Sequence, residues 1–349
     1  MNTANHADLH ALWTHLWPQA QPTPLIELPA LARAAGVARV FVKVEAERPL
    51  GSFKALGGMI AGIRALARAS GIGDPRELVS GQRVKSLPRL ICASEGNHGL
   101  SVAAAANKVG TQAIVYLPRE VGAVRVARIE AQGANIVRID GTYDDAVLAA
   151  EAAAEHGDGL LIPDTASDPN SPVVNDVMAG YGLLAQELDL QLRQQWREQP
   201  THLLVQAGVG GLAAAMIDGL QATLREPKKF IVVEPEAAAC VAAALSLGRA
   251  TLLPGDLHTA AEMLACGVAS SPALRILQKH AVSCVGVPDA ELLKTVTELR
   301  HFGGPHTTAS GAAGVAALLH ICSRRELRET QQLGPNSVVL TIATERALS

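Results

Sequence analysis

The feature that most constrains this chain is an alternation. Short runs rich in Val and Ile, apolar on both faces, are separated repeatedly by Ala-rich segments of helical length. A strand apolar on both faces must be covered on both, and helices between strands supply that cover. The pattern therefore predicts an α/β fold with parallel sheets flanked by helices. Strand-like runs fall at 40–44, 90–92, 112–116, 135–139, 160–162, 202–206, 229–234 and 337–341, and helical segments at 55–68, 99–109, 123–132, 143–156 and 212–225. The stretch 70–88, with Gly71, Gly73, Asp74, Pro75, Gly81 and Pro88, reads as a long surface excursion.

At 349 residues and 48% hydrophobic, the chain exceeds what one core usually holds, so two lobes are expected. The smaller α/β lobe is assigned to 45–160 and the larger to 1–44 with 161–349. A balance of 30 basic against 33 acidic residues leaves no electrostatic footprint for nucleic acid or an anionic membrane, and a small-molecule partner is expected instead. The opening residues Met1 to Asp8 lack the basic and apolar pattern of a secretion signal, and no apolar run is long enough to cross a bilayer. A cytoplasmic protein is expected. Cys92, Cys240, Cys266, Cys284 and Cys322 form no Cys-x-x-Cys pair and have no His at ligand spacing, which predicts neither a disulfide framework nor a zinc site.

Three strand-to-helix passages carry candidate chemistry. The first runs from Glu45 to Lys54, ahead of a helix opening at Ala55. A lysine there lies near the positive end of the helix dipole, and shielding from water would disfavour its ammonium further, leaving a neutral nucleophilic amine. Taken alone, Lys54 reads as an ordinary solvated lysine; the company it keeps argues otherwise. The second passage runs from Ala93 to Gly99. Backbone N–H groups at a helix start, with the Ser94 hydroxyl, suit a carboxylate or phosphate, and Asn97 can both donate and accept there. A plain helix cap at Ser94 explains the same residues equally well.

The third passage, Gln206 to Leu212, contains Gly208, Gly210 and Gly211, which let backbone amides approach an anion closely. It also satisfies a dinucleotide fingerprint, Gly208-x-Gly210-x-x-Ala213 with Glu234 ending the next strand. By itself this loop does not separate two cofactor classes.

In this order, Ser52-Phe53-Lys54, Ser94-x-Gly96-Asn97-His98 and Gly208-Val209-Gly210-Gly211 resemble the motifs of the fold type II pyridoxal 5′-phosphate (PLP) enzymes. That is the tryptophan synthase β-like group, which includes threonine dehydratase and cysteine synthase. The resemblance begins near Thr23-Pro24-Leu25 and runs to the final strand. Phe53 to Gly58, Asp164-Thr165-Ala166 and Val233 to Glu236 are most similar to the diaminopropionate ammonia-lyase branch.

The resemblance implies a two-domain enzyme in which Lys54 holds PLP as a Schiff base. It also implies that Asn97 contacts the cofactor's 3′-oxygen, that the Gly208, Val209, Gly210 and Gly211 amides hold its phosphate, and that the larger domain carries this glycine loop. Thr344 is expected at the ring nitrogen, with Thr341 or Ala343 as the alternatives for that position. Ser94, Gly96, Asn97 and His98 would bind the α-carboxylate of an amino-acid substrate, and a homodimer is implied.

Two acids then separate the branches. The lyase resemblance puts one carboxylate in the asparagine loop and another in the Asp-Thr-Ala motif, here Glu95 and Asp164. A 2,3-diamino acid can carry a second ammonium at its β-carbon, which nearby carboxylates would recognise and a dehydratase's β-hydroxyl would not exploit. The same groups could take an α-proton from the face opposite Lys54 and so admit both enantiomers. The lyases carry Asp where this chain has Glu95, which reaches one methylene further.

The implied reaction is PLP-dependent α,β-elimination of ammonia from 2,3-diaminopropionate or a similar β-substituted amino acid. It gives an aminoacrylate that hydrolyses to pyruvate and a second ammonia. Alternatives are a serine, threonine or hydroxyaspartate dehydratase, a β-replacement synthase, and a catalytically silent PLP binder. From another class comes an NAD-dependent oxidoreductase, which leaves Lys54 and the Asn97 loop unexplained. The plain alternative for Asp164 is a turn residue before Ser167-Asp168-Pro169-Asn170. His301, His306, Thr307 and Thr308 read as loop residues before a helix cap, and Arg48 as either a substrate partner or a solvated arginine.

Overall fold

The computed structural model describes residues 3–81, 86–94 and 96–348. Its strands are β1 (Leu25–Glu27), β2 (Arg39–Val44), β3 (Leu90–Ala93), β4 (Ala113–Pro118), β5 (Asn135–Ile139), β6 (Leu160–Leu161), β7 (His202–Gln206), β8 (Lys229–Pro235), β9 (Val282–Val287) and β10 (Val338–Ala343). They form a six-stranded sheet in the order β1-β2-β10-β7-β8-β9 and a four-stranded sheet in the order β5-β4-β3-β6. Every pairing is parallel except β1 with β2. The α/β class with parallel sheets and intervening helices is as the alternation of apolar runs implies.

Two strands, β1 and β9, lie outside the runs read from the sequence. Both are edges of the six-stranded sheet. An edge strand is covered less completely than a central one, so β9 (VSCVGV) carries Ser, Cys and Gly where a central strand is solidly apolar.

The chain divides into two compact units, Met1–Gln21 with Lys54–Leu183, and Pro22–Phe53 with Leu184–Ser349. The first contains the four-stranded sheet and the second the six-stranded one. These boundaries differ from the expected lobes of 45–160 and 1–44 with 161–349, and packing accounts for the difference. The long helix Pro172–Leu190 begins in the first unit, where Tyr181 lies over Gly57 and a Cβ on Gly180 would meet Gly57 Cα at 2.9 Å. Residues Gly51 to Phe53 are stitched instead to the end of the second unit's sheet. Arg346 N–H donates to Gly51 O (2.8 Å), Phe53 N–H donates to Thr344 O (3.2 Å), and Ser52 bridges Glu345.

Small residues set the positions that matter for chemistry. The helices Lys54–Ala69 and Asn97–Lys108 approach so closely that a Cβ on Gly62 would lie 3.1 Å from both Ala105 Cβ and Leu90 Cδ1, and one on Gly58 would collide with Ser101 Oγ. Close packing of this kind leaves little freedom at the helix starts, where Lys54 and Asn97 sit. In the second unit, the helix Ala309–Cys322 packs Ala312, Ala313 and Ala316 against Leu204, Ile231, Val233 and Val339. No helix among the described residues is long and apolar enough to cross a membrane.

Candidate active site

Lys54 is the first residue of its helix, and its side chain is 21% exposed. Nζ lies 2.5 Å from Asp164 Oδ2, and the other carboxylate oxygen, Oδ1, accepts a hydrogen bond from the Tyr143 hydroxyl at 2.7 Å. Tyr143 opens the helix Tyr143–Glu155, whose start is fixed by a capping box. Asp145 Oδ2 accepts the Thr142 N–H at 2.7 Å, and Thr142 Oγ1 accepts the Asp145 N–H at 3.3 Å.

Burial alone would push the Asp164 carboxyl up. The positive charge of Lys54, the electrostatic effect of His98 and hydrogen bonds from Lys54 and Tyr143 outweigh it, holding the group well below the usual carboxylate range. Asp164 is therefore an anion, tied to a lysine and a tyrosine as a turn residue need not be. Tyr181 also faces this group, and burial pushes its phenol up to about 12.

His98 is buried. Its Nε2 donates to the Ile162 carbonyl oxygen at 2.7 Å, and burial pulls its pKa down, so the ring is neutral. In the first turn of its helix His98 thus presents a backbone N–H, while its imidazole is turned to Ile162. Ser94 Oγ accepts N–H groups from Gly96 (2.9 Å) and Gly99 (2.8 Å), which makes it a helix cap whose own O–H remains a donor. Gly96 adopts φ +151°, a conformation L side chains rarely take. Asn97 begins the helix, and Glu95 lies outside the described residues.

In the second unit, Gly208, Val209 and Gly210 connect β7 to the helix Gly211–Leu220, whose first-turn N–H groups have no acceptor within the helix. The loop is pinned at both sides: Ala207 N–H donates to Val233 O (2.9 Å) and Ser270 N–H donates to Val209 O (2.9 Å). Gly210 has φ +95°, and a Cβ on Gly208 would lie 3.0 Å from Cys266 Sγ and 3.3 Å from Met263 O. Side chains are disfavoured at these two positions, which leaves the backbone amides exposed at a helix N-terminus, as an anion cradle requires.

The rival dinucleotide reading fails at Glu234. That carboxylate is buried and accepts the Val241 and Ala242 N–H groups at 2.7 and 2.9 Å, so it caps a helix and is not available to a ribose. Of the residues considered for a ring nitrogen, Thr341 turns its hydroxyl into the interior beside Gly314, and Ala343 pairs with Val44 in the sheet. Thr344 lies just past the ladder, with Gln206 Nε2 at 3.4 Å from its Oγ1. Arg48 is neither solvated nor open to substrate: it is fully buried against Glu45 and Glu187. Thr308 caps the helix Ala309–Cys322.

Over residues 16–345 the chain matches the family described as pyridoxal-phosphate dependent enzyme, and it belongs to that family. Within it, the chain is 32% identical over 343 residues to the diaminopropionate ammonia-lyase of Escherichia coli (strain K12), covering 93% of this chain and 84% of that one. The E. coli diaminopropionate ammonia lyase solved in complex with an aminoacrylate-PLP azomethine reaction intermediate superposes with a TM-score of 0.86 at 29% identity, covering 99% of this chain and 89% of that one. A human serine dehydratase-like protein is 30% identical over 277 residues, 79% of this chain and 75% of the relative.

The family cofactor is PLP, and the residues present fit it: an amine with a largely shielded counter-ion, and a glycine loop whose backbone amides stand at a helix start. Two residues of the Lys54 cluster, Tyr143 and Tyr181, escaped the sequence reading. The Thr142-x-x-Asp145 capping box marks a helix start, but nothing local says that the tyrosine beside it reaches Asp164.

Proposed function

We propose that the chain catalyses α,β-elimination of ammonia from 2,3-diaminopropionate, or a closely similar β-substituted amino acid, to give pyruvate and ammonia through an aminoacrylate. Lys54 would hold PLP, with Asn97 at its 3′-oxygen, the amides of Gly208 to Gly211 at its phosphate and Thr344 at its ring nitrogen. Bound there, PLP supplies an electron sink for the charge left at Cα. The backbone N–H groups of the Ser94 to His98 loop bind the substrate carboxylate. Asp164 meets the β-ammonium, and Lys54, Asp164 or Glu95 carries the proton from Cα according to enantiomer.

The observation that supports this reading best is the ionised Asp164 at 2.5 Å from Lys54 Nζ. A largely shielded carboxylate there favours a cationic β-substituent over the neutral hydroxyl of serine or threonine. The similarity to diaminopropionate ammonia-lyases supports it independently.

The test is to supply the PLP-loaded protein with D- and L-diaminopropionate, serine and threonine while following absorbance and ammonia release. Diaminopropionate should be turned over fastest, and a clear preference for serine or threonine would move the chain to the dehydratases. We also propose a homodimer, on the family resemblance, and a cytoplasmic location, which light scattering and cell fractionation respectively would check.

A further inference from the structure

We propose that Tyr143 is a positioning residue for Asp164: its hydroxyl fixes which carboxylate oxygen is presented to substrate and keeps the group ionised when Lys54 is engaged elsewhere. The inference rests on the reading that Asp164 handles the α-proton of one enantiomer.

A carboxylate has two equivalent oxygens and turns easily about its last bond. Here the symmetry is broken, because Oδ1 accepts the Tyr143 O–H at 2.7 Å while Oδ2 is the oxygen at Lys54. Tyr143 is itself held at the first turn of a helix by the Thr142 and Asp145 capping box, and that helix is anchored by buried Ala146, Ala150 and Ala153. The tether is therefore built from backbone outward.

The charges around Asp164 make the tether matter. It is faced by Lys54 and Tyr181 from their helices, His98 from the helix Asn97–Lys108, Cys92 from β3 and Tyr143. Burial keeps His98, Tyr181 and Cys92 neutral, so among these groups Lys54 is the cation. A lysine that holds a cofactor or accepts a proton is not a constant counter-charge. Tyr143 provides a donor whose strength does not depend on what Lys54 is doing.

The experiment is Tyr143→Phe in the PLP-loaded enzyme, with two readouts. One is the pH profile of kcat/KM for D- and for L-diaminopropionate. The other, free of turnover, is the pH midpoint of the bound cofactor's absorbance without substrate, which senses charge beside Lys54. Losing a hydrogen bond to a charged group should raise the acid limb for one enantiomer, and the absorbance midpoint, by about one to two pH units. At neutral pH kcat for that enantiomer should fall roughly 10- to 100-fold with little change in KM.

Wild-type midpoints in a folded Phe variant overturn the proposal. Should that variant misfold, 3-fluorotyrosine at position 143, a stronger donor, must move the midpoint down; no movement overturns the proposal too. Asp164→Asn separates the two levels. If it abolishes turnover of one enantiomer while Tyr143→Phe changes nothing, only the tyrosine's role falls. If it leaves both enantiomers intact, the reading of Asp164 falls, and the absorbance midpoint still decides whether Tyr143 sets its charge.

Discussion

Lys43 and Lys54 are both shielded lysines paired with a carboxylate, and their surroundings differ sharply. In the second unit, Lys43 is 0% exposed, and Nζ donates to Thr23 O (2.8 Å), Gln191 Oε1 (2.8 Å) and Glu187 Oε2 (3.0 Å). All three of its protons are spoken for. Burial pulls its pKa down while Glu187 and Glu45 pull the other way, and Arg48 completes a neutral cluster with the same two carboxylates. In the first unit, Lys54 keeps an opening to solvent and sits against the Asp164 carboxylate. A fully buried lysine with three acceptors is a structural cross-brace, whereas one left accessible beside an anion can exchange its proton and react.

The sharpest way to break this contrast is to remove the Lys54 amine and, separately, to take Arg48 out of the ion cluster around Lys43. Lys54→Ala should lower turnover by about 10³-fold or more and abolish borohydride fixation of the cofactor, so that activity is hit harder than stability. Arg48→Met should do the reverse: with Glu45 and Glu187 left buried and short of a cation, denaturant titration should show a loss of about 3–5 kcal/mol. If Arg48→Met proves neutral in stability, the cross-brace description is wrong.

A smaller effect sharpens the comparison from the carboxylate side. Glu234 is buried with backbone donors and, among the described residues, no ion pair, and burial pushes it up to about 7 from 4.5, the opposite of Asp164. Its folded pKa is raised, so the folded state holds its proton longer than the unfolded chain. Glu234 should therefore reduce stability as pH rises from about 4.5 to 7, with the penalty constant above that. Glu234→Gln should flatten that slope in melting curves taken across the window. The smallest effect belongs to packing at the lysine helix. A Cβ on Gly57 would run into the Tyr181 ring, and Gly57→Ala should cost about 1–3 kcal/mol by thermal melting.

Much of this is legible in the amino-acid sequence. The central strands announce themselves because covered parallel strands are continuously apolar, and the glycine loop because only glycine permits its φ and its close neighbours. Edge strands β1 and β9 did not, since half-covered strands carry a diluted signal. Lys54 and Asp164 could be singled out through the motifs around them. Their direct contact could not, because it joins residues from distant parts of the chain. Arg48 misled for a related reason: in sequence an arginine looks solvated, and only the fold brings Glu187 to it. The Glu234 motif misled as well, since a strand-ending glutamate can serve a ribose or a helix start equally well until the next helix is placed.

The stitching of Gly51, Ser52 and Phe53 to Thr344, Glu345 and Arg346 has a consequence for how the molecule is made. The segment leading to Lys54 leaves the ribosome long before the residues just past β10 to which it is bonded. A nascent chain therefore carries Lys54 without the backbone partners that order the approach to it until residues 344–346 have emerged. Loading with cofactor should wait until then. A message truncated shortly before residue 338 should yield a chain that acquires no colour, even with every motif loop already present.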